Sequence, residues 1–515
     1  MRIEHSIKNI SMSIVSQVVI ILLGFLSRKI FLDSLGSEYL GINGLLSNII
    51  SAMVLIEGGI GISIVYNLYK PLADDDRKQI IALVQLYKKA YRLLALVLLI
   101  ISFVMYPYIY RLIGTNIKST EIFIVYSLFV SKSIISYIYS YRWALINADQ
   151  RGYVLAKNNL LFQVISMIGK IVILLLTSNY ILYLIIEFIL FFIQNFTNAR
   201  IVNRRYPYIN TTEKYNLNNE VKNDIKNKVK AMFIQNIGNY AIFSTDNILI
   251  SAFINVGSVG LYSNYTMIMG QVSSLFGSVI GGIGNSVGNL IATEGKDKTL
   301  NIFNICYFVS FWIYSLSAII LYNLVEPFIS WWLGSKYLLG EFTFIVLIMN
   351  YYIDGMKNPI VTFKIKSGIF TEDKYASVIE GVINLIFSMI FIKYFGLAGV
   401  FLGTTISYLF LSFWNHPRLV YKKVFNKCPS EYFVKYIKFL LIAIITGYMT
   451  TIVCSALISG YTFISLILRG IICLVVINTI YILVFYNTNE FKFLLNVVKS
   501  IISRVFYSLK IYNLN

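Results

Sequence analysis

Long apolar runs separated by short polar clusters repeat along the whole 515-residue chain. Each run holds roughly 20 residues, enough for an α-helix to cross the ~30 Å hydrocarbon layer of a bilayer. The pattern predicts spans near 10–32, 40–66, 81–113, 121–147, 154–176, 179–200, 231–253 and 259–291, then 299–322, 342–365, 375–394, 397–417, 433–458 and 463–486. An all-α integral membrane fold of about fourteen transmembrane helices results. Between the second and third spans, Pro71 and the run Asp74-Asp75-Asp76 supply a helix stop and an anionic start for the next helix.

Composition points to the same solvent: 57% of residues are hydrophobic and 13% charged, where a soluble domain carries about a quarter charged. The first run follows the short leader MRIEHSIKN and exceeds the length of a signal-peptide core, so it is expected to stay as an anchor. Cys306, Cys428, Cys454 and Cys473 are scattered, and the histidines are His5 and His416, so no disulfide framework, zinc site or haem site is expected. No cofactor is expected beyond a coupling Na+ or H+.

The net charge of +20 answers a question of orientation. With both termini in the cytoplasm, roughly 35 of the 44 Lys and Arg fall in or beside internal segments and about six in external ones. The segment Arg200 to Lys230 alone carries Arg204, Arg205, Lys214, Lys222, Lys226 and Lys228. This bias accounts for the charge without nucleic acid as a partner. In the tail, Leu494, Val498, Ile501, Val505 and Leu509 form an apolar stripe opposite Lys492, Lys499 and Lys510, the pattern of an interfacial helix on anionic lipid.

Two stretches share an order of features. FLSRKIFLDSLGSEYLGINGLLSNII reaches IEGGIGISIV, and FSTDNILISAFINVGSVGLYSNYTMI reaches VIGGIGNSV. Six spans separate them, which gives both copies the same orientation and predicts a parallel repeat. The domains expected are an N-terminal lobe (1–200, spans 1 to 6), a basic cytoplasmic linker (201–230), a C-terminal lobe (231–420, spans 7 to 12), two additional spans (421–486) and a cytoplasmic amphipathic tail (487–515). Glycines that merely let helices approach closely are the competing explanation.

With LGSEYLGINGL (35–45), LYKPLADDD (68–76), ADQRGY (148–153), STDNILISAF (244–253), VGLYSNY (259–265) and FGLAGVFLGTTIS (395–407) in hand, the chain resembles the oligosaccharide-flippase, Wzx-like branch of the multidrug/oligosaccharidyl-lipid/polysaccharide exporter superfamily. The resemblance implies two six-helix lobes plus a C-terminal helix pair. It also implies alternating-access flipping of undecaprenyl-pyrophosphate-linked oligosaccharide from the inner to the outer leaflet, for capsule, cell-wall or exopolysaccharide assembly. The implied setting is a bacterial plasma membrane, with membrane lipids and polysaccharide assembly proteins as partners. In related lipid II flippases a basic residue of the first helix lies in the cavity, which the resemblance carries onto Arg28.

An ionisable side chain near the bilayer centre costs about 2.5–3.5 kcal/mol on insertion scales, so each one calls for a partner or a wet cavity. For substrate, the candidates are Arg28 and, in the fourth span, Lys132, Tyr137, Tyr141 and Arg142, a basic and aromatic run suited to phosphate and sugar rings. Snorkelling of Arg28 and interfacial anchoring of the aromatics compete with that reading. Coupling-ion or gating candidates are Asp246, Glu57 beside Gly58-Gly59, and Asp354, which precedes Gly355 and Pro359 in a tenth span expected to be interrupted. Lys170 and Glu187 lie at matched distances from the Thr177 to Asn179 turn and are expected to form a structural ion pair.

Transport is thus expected rather than enzyme activity, since the external loops are short and carry no compact acid, base or metal constellation. A cation-coupled multidrug exporter is the alternative, and a membrane-embedded polysaccharide polymerase or ligase a more distant one.

Overall fold

The computed structural model describes residues 2–499 apart from 58, 114–118, 150, 152, 244, 294, 368, 370–371, 374, 459, 461 and 497–498. Among these residues there are helices and no strand. Each predicted span corresponds to helical structure, but the interruptions fall elsewhere than expected.

Helix α1 (Arg2–Val54) contains the first span and part of the second, divided at Gly36, whose φ of 81° is one that side chains with a Cβ rarely adopt. A single 3₁₀ turn (Leu55–Glu57) and α2 (Ile60–Ala73) complete the second span, with Gly59 left-handed at the break. Four uninterrupted helices follow: α3 (Arg77–Ile113), α4 (Ser119–Ala148), α5 (Tyr153–Thr177) and α6 (Tyr180–Arg205). The seventh span is split into α7 (Asn219–Phe243) and α8 (Asp246–Phe253). Then come α9 (Val256–Thr293), α10 (Lys296–Trp332), α11 (Glu341–Lys366) and α12 (Ala376–Phe395). The twelfth is again divided, into α13 (Leu397–Phe410) and α14 (Ser412–Val420), before α15 (Ser430–Leu457) and α16 (Phe463–Phe485).

The tenth span is therefore continuous, which corrects the expectation of an interruption near Asp354: Pro359 sits inside α11, buried, and the helix runs on through it. Ten helices among the described residues are long and apolar enough to cross a membrane by length and composition. Those ten leave out the short α2, the broken pair α7 and α8, α9, and α11, in which Asn350, Asp354, Lys357 and Asn358 dilute the apolar run. Most of the tail stripe, from Val498 through Ile501, Val505 and Leu509 to Lys510, lies outside the described residues.

Two compact units divide the chain: Met1–Ser263 with Ser377–Val400, and Asn264–Ala376 with Phe401–Asn515. In the first, α1 and α9 meet backbone to backbone. A methyl group on Gly41 would strike the Val256 carbonyl oxygen, and one on Gly260 would strike that of Ser37. Each glycine thus meets the carbonyl four residues before the other, a reciprocal contact that only glycine permits. The second unit has an aromatic centre, where Phe303, Tyr307, Phe308 and Phe311 of α10 pack with Tyr432 and Phe439 of α15 and Tyr481 and Phe485 of α16.

Candidate functional site

The α5–α6 hairpin of the first unit organises the charged residues. Its turn is tight because Ser178 adopts a left-handed conformation and the Asn179 side chain accepts a hydrogen bond from Leu182 N at 3.1 Å, capping α6. Residues equally far from such a turn face each other, and Lys170 Nζ lies 3.3 Å from Glu187 Oε2. Along α5, Asn159, Gln163, Ser166 and Lys170 recur at helical spacing on one face. Leu161, Ile165, Ile168 and Val172 are exposed on nearly the opposite face, as lipid contact requires.

The polar face opens on a cleft of about 460 Å³, lined by Asn159, Phe162, Gln163, Ser166 and Lys170 from α5 and by Glu187, Phe191 and Gln194 from α6. Amides hold its far end together. Gln194 Nε2 and Asn198 Nδ2 both donate to Asn159 Oδ1, at 3.0 and 2.7 Å, and Asn158 Nδ2 donates to Asn198 Oδ1 at 2.6 Å. Gln163 and Ser166 leave hydrogen-bonding groups facing the cleft, which suits hydroxyl-rich ligands.

At the other end of the cleft the charges do not balance. Lys132, from α4, takes the second oxygen of Glu187, so one carboxylate bridges two lysines. Lys170 Nζ also lies 5.2 Å from the Tyr183 ring centre. Tyr183 packs against Phe31 of α1 at 5.2 Å, and Arg28 lies one helical turn before Phe31. Arg28 itself donates from Nη1 to Ser263 Oγ at 3.0 Å. Two lysines thus share one carboxylate, with Arg28 one turn before Phe31 on the adjoining α1, and in a low-dielectric setting that excess of positive charge favours an anionic ligand.

Further along, α4 meets two other clusters on other faces. Tyr137 packs edge-on against Tyr91 at 5.2 Å, and Tyr91 stacks on Tyr87 at 4.3 Å and donates its hydroxyl to Glu57. No lysine or arginine pairs with Glu57 among the described residues, and the Tyr137 hydroxyl is buried without a hydrogen-bond partner. One turn and a half beyond, Arg142 donates from Nε to Asn203 Oδ1 at 2.9 Å and lies 4.4 Å over the Tyr141 ring, with Lys88 5.5 Å from that ring. Lys132, Tyr137 and Arg142 are each five residues apart, a rise of about 7.5 Å per step. Of the fourth-span candidates, then, Lys132 joins Lys170 and Glu187, Tyr137 joins Glu57, and Tyr141 and Arg142 join each other.

Asp246 opens α8 at the break in the seventh span, and its Oδ1, like that of neighbouring Asn247, is buried without a hydrogen-bond partner. Asp354 belongs to the second unit, where its mostly exposed side chain pairs with Lys357 at 2.5 Å one turn away. No group of three or more His, Cys, Asp or Glu residues could hold a metal ion among the described residues. Asn159, Gln163, Gln194, Asn198 and Tyr183 are site residues that pattern reading passed over. A period-of-3.6 stripe of amides inside an apolar run was the available signal.

Compared with solved structures, the chain superposes on lipid II flippase MurJ in its inward closed conformation with a TM-score of 0.63, covering 92% of this chain and 98% of that one at 14% identity. The chain has the fold of the MOP-superfamily transporters. A Vibrio cholerae MATE transporter matches with a TM-score of 0.53 over 82% of this chain and 99% of that one, at 13% identity. An inward-facing multidrug resistance MATE family transporter of the MOP superfamily gives 0.50 over 76% and 94%, at 16% identity. No family model and no curated protein matches the sequence. The MOP fold accounts for the long apolar helices as a multi-pass membrane protein.

Proposed function

We propose that the protein is a flippase that moves undecaprenyl-pyrophosphate-linked oligosaccharide from the inner to the outer leaflet of a bacterial plasma membrane, by alternating access, for capsule, cell-wall or exopolysaccharide assembly. The MOP fold serves both lipid-linked and drug substrates, so the fold does not choose between them. The observation that carries the choice is the excess of Lys132 and Lys170 over Glu187 beside an amide-lined cleft, with Arg28 on the adjoining α1 one turn before Phe31, which packs on Tyr183. A pyrophosphate bound there neutralises the cations, and the amides beyond it meet sugar hydroxyls.

In this reading residues 1–200 and 231–420 are duplicated lobes, 421–486 an added helix pair, and both termini are cytoplasmic. The reciprocal contact of Gly41 with Gly260, which occupy matching positions of the two repeats, supports a twofold relation between the copies. Glu57 and Asp246, both carboxylates at helix breaks, are the candidates for H+ or Na+ coupling, with Asp354 a third. A cation-coupled drug exporter would use the same carboxylates for substrate and leave the lysine cluster without a ligand.

Deletion of the gene tests the substrate class. Accumulation of a pyrophosphate-linked saccharide on the cytoplasmic leaflet is expected, and unchanged lipid-linked intermediates with increased drug sensitivity would reject the reading.

A further inference from the structure

Lys132 and Lys170 reach Glu187 from different helices and take different oxygens of its carboxylate, so that one anionic group on α6 joins α4 to α5. That arrangement is the one two phosphate oxygens would make between the same lysines. All three side chains keep some exposure, 27% for Lys132, 18% for Lys170 and 23% for Glu187, and Lys170 and Glu187 line the cleft. An anion entering the cleft therefore meets the lysines already occupied.

We propose that Glu187 is a built-in surrogate for the substrate's phosphate, closing the lysine pair in the empty protein and yielding it to a more highly charged ligand. This rests on the anionic-substrate reading above and adds a device to it. Two unpaired lysines in a membrane-spanning bundle would be costly, and the bridging carboxylate removes that cost while no substrate is bound. A singly charged anion gains too little from the lysines to displace it, whereas a pyrophosphate brings more charge and more acceptor oxygens. Discrimination thus arises by competition with an internal anion. The same carboxylate re-forms its bridge as the ligand leaves, which favours release.

The test uses the full chain in discs of zwitterionic phosphatidylcholine, with inorganic pyrophosphate as the probe and calorimetry as the readout. Glu187→Gln removes the competing charge while keeping the side chain's size, and is expected to bind pyrophosphate about tenfold more tightly than the parent protein. Adding Lys132→Met should reverse the gain. A folded Glu187→Gln protein that binds no more tightly overturns the proposal. If that variant does not fold, Glu187→Asp decides: its stem is shorter by one methylene, roughly 1.5 Å, and cannot bridge both lysines, so its affinity should rise about threefold, and an unchanged or lower affinity counts against the surrogate. Phosphatidylglycerol in the discs should leave the gain intact, and its abolition would assign the lysines to lipid headgroups and end the proposal. A gain in pyrophosphate affinity without transport of a lipid-linked saccharide would instead reject the flippase reading alone.

Discussion

The α4–α5–α6 region of the first unit and the α10–α15–α16 region of the second are built with different interiors. In the first, three helices carry Lys132, Lys170, Glu187 and a stripe of amides alongside an open cleft. In the second, Phe311 stacks on Phe439 at 4.3 Å, Tyr307 on Tyr432 at 5.1 Å, and the Tyr481 hydroxyl donates to Ser315 at 2.7 Å. Aromatic packing fills space and satisfies few polar groups, so the second region is suited to rigidity. The first keeps charged groups partly exposed beside the cleft.

The largest effect is expected in the aromatic region. Phe311→Ala should lower stability by about 3 kcal/mol or more, read from thermal unfolding in detergent, and leave pyrophosphate affinity unchanged; a change in affinity at constant fold would erase the division of roles. Next in size, Arg28→Ala should reduce flipping roughly a hundredfold at near-normal membrane abundance. Arg28→Lys should retain part of the rate because it keeps the charge but loses the planar fork. Wild-type rates in Arg28→Ala would mean that the guanidinium only snorkels.

A smaller effect separates the structural from the binding role of the cluster. Lys170→Ala and Glu187→Ala should each lower folded yield, with a coupling between them on the order of 1 kcal/mol. The double variant should recover yield only partly, since Lys132 is left unpaired, and the triple variant with Lys132→Met should recover further. Full recovery in the double variant would remove Lys132 from the network. Smallest is a pH effect outside the spans. Burial raises the Asp373 carboxyl, but hydrogen bonds with His416 and Lys364 outweigh it and hold the group below its ordinary range. Because the folded value is depressed, the stabilisation is present above the unfolded value of about 3.9 and is lost as pH falls through the folded one. Asp373→Asn should flatten that acid-side loss of Tm, and an unchanged acid profile would contradict the assignment.

Much of this fold was legible because crossing a bilayer demands length and apolarity, and both are visible in a linear sequence. The Lys170–Glu187 contact was legible for a related reason: a tight turn makes the partner a matter of counting. Lys132 was not, because it meets Glu187 across 55 residues of sequence, and only the packing of α4 on α6 brings them together. The helix breaks were legible in part. Gly58-Gly59 marks the one in the second span, whereas the division between α7 and α8 has neither glycine nor proline in the sequence there, and Pro359 fails to break α11. Proline inside a membrane helix is tolerated where neighbours accommodate the freed carbonyl.

The proposed function is transport of an anionic, lipid-linked saccharide by this MOP-fold protein. Its most direct test reconstitutes the purified protein in vesicles and follows the leaflet distribution of an undecaprenyl-pyrophosphate-linked saccharide beside that of a cationic drug, each normalised to correctly inserted protein. The saccharide lipid is expected to cross and the drug to stay, and Lys132→Met with Lys170→Met is expected to abolish crossing. Movement of the drug with the saccharide lipid left in its original leaflet would contradict it.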